Sequence, residues 1–188
     1  TAARSGLNKA IVSGEPPEVY EQHVEKSIKG GRDSNLNGSL LDGRTQFIAG
    51  IDDFPRQGTI SVTVQAYALI PEGQMIPQME VNIGIRSDTL SPSERLGVVA
   101  VTGTQQKPQT FVLKGRIENF PLPGANPKFP GIQIRIKNLT ARAVPKPKKG
   151  STPAPSTEPE IVVQAVDFKG PIYDAWPPEH HRQILPET

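Results

Sequence analysis

The sequence predicts an all-β fold, an antiparallel β-sandwich. Several runs alternate apolar and polar residues with period two, the pattern of strands with one face buried. Gly, Pro, Asn and Asp clusters punctuate those runs, and no segment of ten or more residues in the middle has the 3.6-residue period of a helix. A parallel sheet would need crossover helices, which the sequence does not supply.

Taken in order, residues 1–17 read as an N-terminal extension. "EPPEVYEQHVEKSIKGG" (15–31) fits a short helix or an opening strand equally well, because Val19, Tyr20, His23, Val24 and Ser27 have helical spacing. "RTQFIAGI" (44–51) is a weaker strand. "TISVTVQAYAL" (59–69) sets Ile60, Val62, Val64, Ala66 and Ala68 on one face and Ser61, Thr63, Gln65 and Tyr67 on the other. "MEVNIGIRS" (79–87) alternates Val81, Ile83 and Ile85 with Asn82, Gly84 and Arg86. "LGVVAVTG" (96–103) and "TFVLKGRI" (110–117) follow. "GIQIRIKNL" (131–139) alternates Ile132, Ile134 and Ile136 with Gln133, Arg135 and Lys137. "VPKPKKGSTPAPSTEPE" (144–160) cannot bury apolar area, so a disordered Pro/Lys-rich insertion loop is expected at 145–159. "EIVVQAVDF" (160–168) is the last strand. Gly170-Pro171 is expected to end it, since Pro removes a ladder donor, and Tyr173 and Trp176 to pack an irregular tail back onto the sandwich. The sandwich domain is thus 18–170 and the exit segment 171–188.

A chain of 188 residues suits one domain with a real core. Pro (20) and Gly (17) together make about a fifth of it, which signals many turns and some unstructured length. The 21 basic and 19 acidic residues nearly balance, which argues against a nucleic-acid partner with its need for a concentrated basic face. There is no Cys, hence no disulfide, thiolate metal site or Cys nucleophile. No apolar run approaches the ~18 residues of a membrane span. "TAARSGLNKAIVSG" has no apolar core of signal-peptide length and no initiating Met, so the chain reads as an internal piece of a longer protein.

The sharpest local motif is "RDSNLNGSLLDGR" (32–44). Asp33, Asn35, Asn37 and Gly38 match the first half of a calcium loop. The second half departs from it: the twelfth position is Arg44, where the loop needs a bidentate Glu. Two readings stay open, a weakly held calcium ion on Asp33, Asn35 and Asn37, or a polar Asn/Gly turn. For acid–base chemistry, Asp52–Asp53 and Glu158–Glu160 are neighbours without the setting that would shift a pKa, and no nucleophile elbow, phosphate loop or His-Glu-x-x-His motif is present. No enzyme is expected. His180 and His181 are adjacent and would point apart, so with His23 far away they do not make a metal site. Tyr67, on the polar face of its strand, would offer a sugar-stacking platform or cover a neighbouring surface.

"GRDSNLNGSLLDGRTQF" followed by "GTISVTVQAYAL" resembles the opening of carbohydrate-binding jelly-roll domains. "KGPIYDAWPPEHHRQIL" resembles the exit segment of such domains in large planctomycete proteins that carry cytochrome c-like modules and are of unknown function. There a strand ending in Gly-Pro leads into a Pro-Pro-x-x-His-Arg segment and the next domain. The resemblance implies a jelly-roll sandwich and a non-catalytic carbohydrate-binding module of an extracytoplasmic protein. It also implies a polysaccharide or oligosaccharide partner and contacts to neighbouring domains. The expected ligand contacts are Tyr67, Arg86 and Arg135, from the polar faces of the central strands. The alternative is a structural spacer that docks neighbouring domains and binds no small ligand.

Overall fold

The computed structural model describes residues 15–86, 91–124, 128–129, 131–142 and 157–176. Most of the expected insertion loop, the exit segment beyond Trp176 and the first fourteen residues lie outside the described residues, as do His180 and His181.

Among the described residues nine strands form: β1 (Tyr20–Val24), β2 (Ser39–Leu41), β3 (Gln46–Ile51), β4 (Thr59–Leu69), β5 (Gln78–Gly84), β6 (Ser93–Ala100), β7 (Gln109–Arg116), β8 (Ile132–Asn138) and β9 (Glu160–Ile172). They make two sheets, ordered β1-β9-β4-β7 with β2 also on β9, and β3-β8-β5-β6. All ladders between them are antiparallel. Counting β1 and β2 together as the first edge, the two sheet orders are those of a jelly roll: consecutive strands change sheets except β5 and β6, which pair within one sheet. The ambiguous 15–31 stretch is thereby resolved as a strand. β1 and β2 lie end to end on one edge of β9, Tyr20 opposite Gly170 and Leu41 opposite Ile161.

The core lies between the sheets and comes from the period-two faces. Val62, Val64 and Ala66 of β4 meet Val81 and Ile83 of β5 and Ile134 and Ile136 of β8, all fully buried. Each buried aliphatic side chain contributes roughly 1.5–3 kcal/mol relative to exposure.

Two strand ends depart from the sequence reading. β9 does not stop at Phe168 but continues through Gly170-Pro171 to Ile172. The ladder to β4 carries a bulge between Thr59 and Ser61 at that point, where Pro171 stands. A bulge leaves one residue without a ladder bond, so the missing N–H of proline costs nothing there. The Gly170–Pro171 bond is cis. β6, in contrast, begins at Ser93 and ends at Ala100, earlier than the alternation of 96–103 suggests.

Between β1 and β2 the chain leaves the first sheet and crosses to the second. The Ile48 N–H donates to Ser27 Oγ at 2.9 Å, and the Ile28 N–H donates to the Ile48 carbonyl at 2.9 Å. This short crossover covers the free edge of β3. It returns as the turn Asp33–Gly38, closed by two backbone bonds between its end residues. That turn lies flat on the outer face of the first sheet. A Cβ at Gly38 would stand 2.6 Å from a Val162 methyl and 2.7 Å from the Val163 carbonyl oxygen, so only glycine lets the backbone approach this closely.

Candidate functional site

The outer face of the second sheet carries a cleft of about 470 Å³. Its floor is the polar side of two paired strands: Gln46 and Ile48 of β3, and Gln133, Arg135 and Lys137 of β8. The crossover supplies one wall with Ile28 and Lys29. Arg86, Ser91, Ser93 and Phe129 complete the lining. Arg86 and Arg135, expected as ligand contacts, therefore come together in one cleft. Arg86 does so from just beyond β5 rather than from a strand face, because β5 ends at Gly84.

Arg135 is 8% exposed. Its guanidinium donates to the Ser91 carbonyl at 2.6 Å, to the Ile85 carbonyl at 2.6 Å, and to Gln133 Oε1 at 3.0 and 3.3 Å. These bonds tie the ends of the β5–β6 connection to the sheet. Every acceptor is neutral. Burial alone pulls the Arg135 pKa down from its ordinary value. Arg86 lays its guanidinium over the Phe129 ring, 4.7 Å from the centroid, and Lys128 stands 5.1 Å from the same centroid.

One acid of this sheet, Glu80, sits opposite Lys137 in the β5–β8 ladder. It is committed elsewhere. Arg95 binds its Oε1 at 2.6 Å. Burial works to raise the Glu80 pKa, but hydrogen bonds from Asn82 and Arg95 outweigh it and hold the carboxyl below its usual range.

Tyr67 does not take part. The sequence places it on the polar face of β4 as an exposed platform, but it is fully buried. The Asp33–Gly38 turn covers it, and its hydroxyl donates to the Leu36 carbonyl at 2.6 Å. The signal available in the sequence was the length of the polar segment ahead of β2, long enough to fold back over the sheet.

The calcium-like stretch Asp33, Asn35, Asn37 is this same turn. Asp33 Oδ1 accepts the Asn35 N–H at 2.8 Å and the Leu36 N–H at 3.4 Å, an Asx turn. Asn37 adopts φ 50°, and its Oδ1 accepts from Arg32 at 2.8 Å. Asp33 Oδ1 and Asn37 Oδ1 are thus engaged within the turn, the second by a guanidinium. Among the described residues no group of three or more His, Asp or Glu side chains is placed to hold a metal ion.

No protein-family profile matches the chain, and no curated protein matches it. Solved structures do. A xylan-binding module, CBM15, aligns with a TM-score of 0.43 and 10% identity over 81% of this chain and 95% of its own. The CBM22-1–GH10 modules of endo-1,4-β-D-xylanase 10B from Clostridium thermocellum, complexed with xylohexaose, align with a TM-score of 0.38 and 14% identity over 84% of this chain. This chain spans only 26% of that one. The structure of infectious bursal disease virus, Gt strain, aligns at 0.33 and 11% over 81% of this chain and 31% of its own. At these scores the jelly-roll assignment stands on the ladders themselves.

Proposed function

We propose that this chain is a non-catalytic carbohydrate-binding module of a larger extracytoplasmic protein, and that the cleft over β3 and β8 is its binding surface. One observation carries the reading. Among the described residues the cleft is lined by amides, hydroxyls and cations, Gln46, Gln133, Ser91, Ser93, Lys29 and Lys137 among them, and by no carboxylate or imidazole. Such a lining hydrogen-bonds hydroxyl-rich ligands and lacks a general acid or base. The sequence resemblance to carbohydrate-binding domains at 31–69 and at the exit segment supports it.

Affinity electrophoresis through gels containing xylan, cellulose or sulfated polysaccharide tests the proposal. Retardation in at least one gel is expected, with loss of retardation for Gln46→Ala/Gln133→Ala. No retardation in any gel, with or without calcium, overturns it. A docking spacer is the second reading, favoured by Ile70, Met75 and Ile76, which stand exposed on the β4–β5 connection. It predicts no retardation and loss of a neighbouring-domain contact when Met75 and Ile76 are replaced by Ser.

A further inference from the structure

Four cations line the cleft: Lys29, Arg86, Arg135 and Lys137. The whole chain carries a net charge of only +2, so this is a local asymmetry, not a reflection of a basic protein. Among the described residues none of the four is in an ion pair. Glu80, opposite Lys137 in the ladder, feels the Lys137 charge, but its contact ion pair is with Arg95.

Arg135 makes the case sharper than a surface cluster would. An arginine residue this buried normally sets its guanidinium against a carboxylate, because removing a charge from water costs several kcal/mol unless an opposite charge accompanies it. Here two carbonyls and one amide oxygen saturate most of its N–H groups and leave its charge uncompensated. Those bonds also fix the guanidinium, so it cannot swing out to water. Lys29 and Lys137 are exposed side chains from opposite sides of the floor, and their charge adds to the same potential. A concave surface with one sign of charge concentrates counter-charge inside it.

Phe129 sharpens the point from the other direction. Among the described residues it is the one aromatic side chain in the lining, and Arg86 and Lys128 already stand over its ring. With cations already at the ring, charge is the stronger discriminator in this cleft.

We infer that the cleft takes an acidic polysaccharide, with a carboxylate or sulfate ester of the glycan seated among Lys29, Arg86, Lys137 and the fixed Arg135 guanidinium. This rests on the carbohydrate-binding reading and narrows its ligand class. Charge pairs at such a rim act strongly on selectivity and are weakened by salt.

The experiment compares matched glycans: polygalacturonate against its fully methyl-esterified form, and a sulfated galactan against its desulfated form, by calorimetry at low and at 0.5 M salt, with polyglutamate as an acidic non-glycan. The expected result is binding to both acidic glycans, about tenfold or more weaker for each neutral counterpart and in high salt, and weaker still for polyglutamate. Lys29→Gln/Lys137→Gln, exposed positions that leave the fold intact, should weaken acidic-glycan binding about tenfold, and Lys114→Gln on the other sheet should not change it. Equal binding of neutral and acidic forms overturns the inference while leaving the module a carbohydrate binder. Equal binding of polyglutamate overturns the glycan as ligand. No binding to any glycan overturns both readings.

Discussion

The Tyr67 hydroxyl donates to the Leu36 carbonyl at 2.6 Å, joining the centre of β4 to a turn 31 residues earlier in the chain. The bond makes the Asp33–Gly38 turn a lid of the first sheet rather than a free loop. Burial raises the Tyr67 pKa, and the nearby Asp33 charge adds to the rise, so the hydroxyl stays a donor across the usual pH range. Tyr67→Phe should destabilise the protein by about 1 kcal/mol, the cost of one lost buried hydrogen bond, and Tyr67→Ala by roughly 3–5 kcal/mol through the cavity. Urea unfolding followed by fluorescence measures both. Neither change should alter polysaccharide retardation, because the ring lies on the opposite sheet from the cleft.

Calcium should not stabilise this turn. Arg32 already binds Asn37 Oδ1, and Asp33 Oδ1 caps two turn amides. The melting midpoint is expected to be the same in millimolar calcium and in EDTA. A rise of several degrees with calcium, abolished by Asp33→Ala, would restore the calcium-loop reading.

Asp42 closes the corner between β2 and β3. Burial pushes its pKa up, but hydrogen bonds from Arg44 and Thr45 outweigh that and bring it from 3.8 to about 2. A depressed carboxyl stabilises the fold above its unfolded value and ceases to do so as pH falls through the folded one. Asp42→Asn should therefore melt lower at pH 7, by the equivalent of roughly 1–2 kcal/mol after allowance for its partial exposure. Calorimetry of both proteins should show the gap closing between pH 4 and pH 2.

His23 has the opposite sign. Hydrogen bonds to Asp167, at 2.5 Å, and to Glu25 raise its pKa above 6.5. The interaction stabilises the fold below 6.5 and fades as pH rises through the higher folded value. The ring is more than half exposed, so the effect on melting is small. Proton NMR should place the His23 titration above 6.5, and Asp167→Asn should bring it back down. An unshifted titration in the native protein would show that the pair does not form in solution.

Gly131 enters β8 with φ +81°, and a Cβ there would stand 2.2 Å from the Ile51 carbonyl oxygen. Gly131→Ala meets both the left-handed penalty, about 1–2 kcal/mol, and a backbone collision. A loss of more than ~2 kcal/mol in urea is expected. A neutral result would mean that the β3–β8 ladder starts later than Ile51–Ile132.

The alternation along β4, β5 and β8 was enough to identify the sandwich and most of its core, because period two is a local property that burial selects one residue at a time. Local pattern could not show partners. Arg135 and Arg86 lie far apart in sequence, and only the β5–β8 ladder, with Asn82 opposite Arg135, brings them to one cleft. The Ser27–Ile28 pairing with β3 and the three-residue β2 left no periodic trace, being too short to have a period. Tyr67 kept its predicted side of β4, yet its exposure depended on a polar turn folding back over it. Gly170-Pro171 was read as a strand end from the missing donor, but the ladder is irregular at that place and the strand goes on. Local alternation was sufficient to assign the residues that face the core of this jelly roll. Contacts between segments, which local spacing does not encode, decided which polar residues meet, which are covered, and that among the described residues four cations share a cleft without an acid in its lining.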